Sequence, residues 1–115
     1  MKTLTLEVTE LADGLAAFRQ AWGNGKAEES ARIGFATPEL LWKVLTAKRW
    51  EILRVMTGQG PLAPREVARR LERDVKAVHA DVHALIDAGI LQRTTDGRIE
   101  FPYESVHVDF MLKAA

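Results

Sequence analysis

No cysteine occurs anywhere in the sequence, which excludes disulfides, thiolate zinc sites and cysteine nucleophiles and fits a reducing compartment. Only two serines are present, Ser30 and Ser105, and neither lies in a nucleophile motif. Glycine-rich phosphate loops and carboxylate pairs at catalytic spacing are missing as well. The expectation is a binding protein that needs no cofactor, and not an enzyme. No apolar run approaches the ~20 residues that a membrane helix requires. The N-terminus, Met1-Lys2-Thr3-Leu4-Thr5-Leu6-Glu7-Val8, lacks the hydrophobic stretch of a signal peptide. The chain therefore reads as cytoplasmic and intact from Met1, with no membrane partner. Net charge is also absent, with 16 basic against 16 acidic residues, which argues at first against a nucleic-acid partner.

The distribution of that charge changes the picture. From Lys43 to Arg98 there are 11 Lys/Arg against 7 Asp/Glu; residues 1–42 carry 4 against 6, and residues 99–115 carry 1 against 3. A basic middle is flanked by acidic ends. The 115 residues are 47% hydrophobic and 28% charged, the composition of one compact domain with appendages.

Leu4, Leu6 and Val8 alternate with Thr3, Thr5 and Glu7, which predicts a strand with one buried face. Thr9 is placed to cap a helix carrying Leu11, Leu15, Phe18 and Trp22 on one side, ended by Gly23-Asn24-Gly25 and a loop from Lys26 to Ser30. Ala31 to Ala36 reads as a second strand. Thr37-Pro38-Glu39 opens a helix whose apolar face is Leu40, Leu41, Val44 and Leu45. Thr46 restarts it, Trp50, Leu53 and Met56 continue the stripe, and Gly58-Gln59-Gly60-Pro61 stops it. Pro64 begins a short helix with Val67, Ala68 and Leu71 inward. Asp74 caps a longer one in which Val75, Val78, Val82, Leu85 and Ile86 share a face, closed by Gly89. Ile90–Thr94 and Arg98–Phe101 flank Asp96-Gly97 as a hairpin, Pro102 breaks it, and Val106, Val108, Phe110 and Leu112 alternate as a last strand.

Helix, Gly/Pro stop, short helix, three-residue turn, longer helix, hairpin is the order of a winged helix-turn-helix. The expected class is α+β: a winged helix-turn-helix at 37–101, an N-terminal strand–helix–strand extension at 1–36, and a C-terminal strand at 102–115. Such a fold presents one helix to a DNA major groove about 12 Å wide. At 100° per residue, the valine face leaves Lys76, Ala77, Ala80, His83, Ala84 and Asp87 pointing away, and the alanines permit close approach to base edges. Arg73 and Lys76 are candidates for base or phosphate contacts. His79 lies nearer the core edge, placed either to reach a phosphate or to cap packing. Arg93 and Arg98 belong to the wing, and Arg65, Arg69 and Arg70 add phosphate reach from the preceding helix. Asp81 and Asp87 oppose a DNA role unless paired, and Arg69 or Arg70 is the expected partner of Asp81.

The segments Leu45-Thr46-Ala47-Lys48-Arg49-Trp50-Glu51-Ile52-Leu53, Val67-Ala68-Arg69-Arg70-Leu71 and Arg73-Asp74-Val75-Lys76-Ala77-Val78-His79-Ala80-Asp81-Val82 resemble a family of MarR-like predicted transcriptional regulators. Ala88-Gly89-Ile90-Leu91 and Phe101-Pro102-Tyr103 belong to the same pattern. The resemblance implies a DNA-binding repressor, and some relatives are similar to antitoxins, which implies autorepression and a toxin protein as partner. The family turn usually carries glycine where this chain has Glu72; a left-handed Glu72 costs on the order of 1 kcal/mol.

The expected regulator is a homodimer on a palindromic duplex site, with Leu4, Leu6, Phe18, Trp22, Val108 and Phe110 forming the dimer or toxin interface. Packing of those residues within one chain is the competing reading. Two alternatives stand beside DNA binding. One is a protein-interaction winged helix, which zero net charge allows. The other is a metal-sensing repressor using His79 and His83, four residues apart, with His107 and Asp109; two solvated surface histidines are the plainer explanation.

Overall fold

The computed structural model describes residues 2–8 and 30–110, so the expected helix between Thr9 and Trp22, the loop after it, and Leu112 lie outside the described residues. Two compact units divide the chain, one made of residues 1–43 and 103–115, the other of 44–102. The first helix of the expected central domain thus falls, but for its last residue, in the terminal unit.

In the terminal unit, β1 (Thr3–Val8) is the middle strand of a three-stranded sheet, between β2 (Ser30–Phe35) and β5 (Ser105–Asp109). Both pairings are parallel, with Leu6 opposite Ile33 on one side and Val108 on the other. A parallel β1–β2 pair needs a crossover of a dozen or more residues, and residues 9–29 supply that length. The alternation read in the sequence sorts the faces: Leu4 and Leu6 are fully buried, while Thr3, Thr5 and Glu7 stay partly exposed. On that wetter side the Thr3 and Ser105 hydroxyls meet at 2.8 Å and Arg32 pairs with Glu7 at 3.3 Å. Because Leu4 and Leu6 are sealed within a single chain, they are core residues and offer nothing to a dimer interface.

Helix α1 (Pro38–Val44) starts as its sequence dictates, with proline in the first turn and the Thr37 hydroxyl accepting from the Leu40 amide at 3.2 Å. Its expected apolar face is only partly used, since Leu41 is buried but Leu40 is 46% exposed. Trp42, also exposed, meets Phe110 edge-to-face with ring centres 5.7 Å apart.

The central unit is built from α2 (Ala47–Met56), α3 (Pro64–Leu71), α4 (Val75–Asp87) and a short hairpin, β3 (Gln92–Arg93) with β4 (Ile99–Glu100). Thr46 caps α2 by accepting from the Arg49 amide at 3.3 Å. Ile52, Leu53 and Met56 of α2, Val67 and Ala68 of α3, and Val78, Val82 and Leu85 of α4 are buried, as are Ile90, Leu91, Ile99 and Phe101. Leu62, between α2 and α3, pairs antiparallel with Ile99 through two 2.8 Å hydrogen bonds and so flanks β4 opposite β3. The strands are shorter than the sequence suggested. Their turn is closed by Thr94 N–H donating to the Arg98 carbonyl at 2.8 Å, with Gly97 at φ +84°.

Among the described residues no helix is long and apolar enough to cross a membrane. The architecture is α+β, with a parallel sheet in one unit and a small antiparallel one in the other.

Candidate nucleic-acid interface

Helix α4 has two unlike sides. Val78, Val82 and Leu85 anchor it, and Lys76, Ala77, His79, Ala80, His83 and Asp87 are all exposed. His79 is thus open, although periodicity placed it nearer the core edge. Two expectations shift: Ala84 is only half-exposed, and Val75 is 41% exposed despite its place in the valine stripe. Val75 is the first residue of the helix, at the end of the stripe, where the anchoring side chains begin only one turn later.

The N-terminus of α4 is set by Asp74, whose carboxylate accepts from the Ala77 amide at 3.3 Å. Before it, Glu72 adopts the left-handed conformation, φ 53° and ψ 44°. The Arg73 amide donates back to the Ala68 carbonyl at 3.0 Å, the long-range bond of a Schellman turn.

Asp81 fixes the helix from its flank. It accepts from Arg49 Nε at 3.1 Å and from Arg73 Nη2 at 2.8 Å, and all three side chains are at least about four-fifths buried. Arg49 also donates to the Val44 carbonyl at 2.9 Å. Burial works against ionising Asp81, but the hydrogen bonds from Arg73 and Arg49 outweigh it, and the carboxyl is held below the ordinary range. The expected partners, Arg69 and Arg70, are engaged elsewhere. Glu66, three and four residues before them, takes both: Arg69 through Nε at 3.0 Å and through Nη2, Arg70 through Nε at 3.0 Å. Helix spacing decides this competition, because i,i+3 and i,i+4 partners are neighbours on the helix surface. Hydrogen bonds from Arg69 and Arg70 lower the Glu66 carboxyl to about 2. Arg70 reaches Gln59 as well, at 3.2 Å.

At the hairpin tip Arg98 is likewise paired, its Nε and Nη2 both 2.8 Å from Asp96, which also accepts from the Thr94 hydroxyl. Those bonds, from Arg98 first, bring the Asp96 carboxyl to about 2.

The basic candidates therefore separate into three groups. Arg65, Lys76 and Arg93 are exposed without an ion pair among the described residues. Arg69, Arg70 and Arg98 are exposed or half-exposed but hold carboxylates. Arg73 is mostly buried against Asp81, with its Nη1 lacking a hydrogen-bond partner among the described residues.

Sequence reasoning passed over Lys48, exposed and without an ion pair among the described residues in the first turn of α2, and Arg49. A signal for Arg49 existed: a cation in the first turn of a helix opposes the positive end of the helix dipole, a placement that calls for a specific anion nearby. The His79 and His83 rings lie 4.9 Å apart, and among the described residues no group of three or more ligating side chains converges on a metal position.

The HVO_A0114 family model matches residues 44–108, a stretch that contains α2, α3, α4 and the hairpin. No curated protein and no solved structure matches the chain.

Proposed function

We propose that this chain, which belongs to the HVO_A0114 family, is a sequence-specific double-stranded DNA-binding transcriptional regulator acting as a repressor. The central unit is read as a winged helix-turn-helix, with α3 and α4 as the two helices of the motif and the β3–β4 hairpin as its wing. The observation that carries the reading is the open side of α4. Lys76, Ala77, His79, Ala80 and His83 form a continuous exposed strip of small and hydrogen-bonding side chains, while the opposite side is locked into the core. A helix entering a major groove needs that division.

In this reading Lys76, His79 and His83 face base edges, Ala77 and Ala80 allow close approach, and Arg65 and Arg93 meet phosphates on either side. Arg69, Arg70 and Arg98 exchange Glu66 and Asp96 for phosphate oxygens, which needs little energy at exposed pairs. Arg73 acts by holding α4 through Asp81. Two copies bind adjacent half-sites, and the exposed Trp42–Phe110 pair of the terminal unit supports a protein contact there.

The test is enrichment from a pool of random-sequence duplex oligonucleotides, followed by titration of the selected duplex at several salt concentrations. Expected are a preferred half-site and a steep loss of affinity with salt. Lys76→Ala should cost about 1–3 kcal/mol if Lys76 reads a base, or reduce the salt slope by about one if it meets a phosphate. A pool that never enriches, with no salt-dependent binding, would rule out the regulator.

A further inference from the structure

The two histidines of α4 are unused by the packing of the central unit. Both are exposed, four residues apart on the same side of the helix, with ring centres 4.9 Å apart and planes tilted by 38°. That spacing makes their side chains direct neighbours. Neither imidazole makes a hydrogen bond or an ion pair among the described residues, so none of those residues competes with a ligand for the ring nitrogens. Ala80 lies between them in sequence and adds no bulk beside them.

Paired neutral imidazoles are the donor set of nitrogen-accepting first-row ions; magnesium and calcium require oxygen cages instead. We propose that His79 and His83 form a two-imidazole clasp for a divalent transition-metal ion of the copper, nickel and zinc class, with water completing its coordination. Two protein ligands leave the site open and exchangeable, unlike the closed four-ligand sites that hold folds together. Helix α4 is capped by Asp74 and anchored by Val78, Val82 and Leu85 without the ion, so folding does not depend on it. The inference stands apart from DNA binding. If that reading is also right, the ion sits on the side of α4 that meets the groove.

The experiment is calorimetric titration of the full chain with copper(II), nickel(II) or zinc(II) alone, in a non-chelating buffer without nucleic acid. Expected is one ion per chain, tightest for copper, weakening on acidification as protons compete for the ring nitrogens. His79→Gln and His83→Gln should each lower the affinity at least about tenfold, with metal-free thermal unfolding unchanged. His107→Gln, at the third histidine, should leave the titration as it was. Absence of saturable binding, binding that survives both α4 substitutions, or loss with His107→Gln would each overturn the clasp. Because no duplex is present, failure of the DNA reading leaves the result untouched.

Discussion

Glu72 and Gly89 do the same job with opposite residues. Each follows a helix in the left-handed conformation, Glu72 at φ 53° after α3 and Gly89 at φ 83° after α4. Glycine adopts that region without a Cβ penalty, whereas an ordinary residue bears about 1–2 kcal/mol there. Glu72 is exposed and forms no side-chain hydrogen bond or ion pair among the described residues, so its side chain brings little compensation. Glycine in turn loses more chain entropy on folding, roughly 0.5–1 kcal/mol. The balance predicts that Glu72→Gly stabilises the protein by roughly 0.5–1 kcal/mol, read as a higher urea midpoint at constant slope. A lower midpoint would show that the glutamate side chain holds the turn in some other way.

At the scale of elements, the Asp81 carboxylate joins α2, the α3–α4 turn and α4 through Arg49 and Arg73. Removing it leaves two guanidinium groups without their anion in a mostly buried place. Asp81→Asn should therefore cost about 2 kcal/mol at neutral pH. The sign of its pH dependence follows from the lowered carboxyl. A group whose folded value lies below its ordinary 3.8 contributes fully above that value, and its contribution fades as pH falls through the folded one. Urea midpoints of the two proteins should thus differ most above about pH 5 and converge in acid. Parallel curves would mean that the ion pairs contribute nothing.

How far such features can be read in the sequence depends on how local they are. The caps at Thr37, Thr46 and Asp74 were legible because a cap bonds within three residues of itself. The alternation in β1 was legible because burial repeats every second residue. Neither the parallel order β2–β1–β5 nor the Arg49–Asp81 pair, 32 positions apart, has a local signature. The expected Asp81 partnership with Arg69 or Arg70 failed for the same reason: Glu66 competes from one turn away, and the long-range alternative was invisible. The open side of α4 lies between these cases. Its composition could be read from periodicity, but the exposure of Val75 at the helix end could not.

For the whole molecule, zero net charge hides a division of labour. Residues 44–102 hold 10 Lys/Arg against 8 Asp/Glu, while the remaining residues hold 6 against 8. The central unit has its own apolar core, from Ile52 on α2 through Val82 on α4 to Ile99 on β4. Chains of about 55–65 residues with a single core do fold alone, although marginally. A fragment spanning 44–102 is therefore expected to unfold cooperatively in urea with a helical circular-dichroism signal, at a lower midpoint than the full chain. All the basic candidates for phosphate contact lie inside it. Under the proposed function, its dependence of duplex affinity on salt, counted per bound chain, should match that of the full protein, while affinity for a two-half-site duplex should fall if the terminal unit is what joins two copies. An unfolded fragment would show that the two cores form only together. A folded fragment with a much shallower salt slope would place the phosphate contacts in the terminal unit and move the interface away from α4.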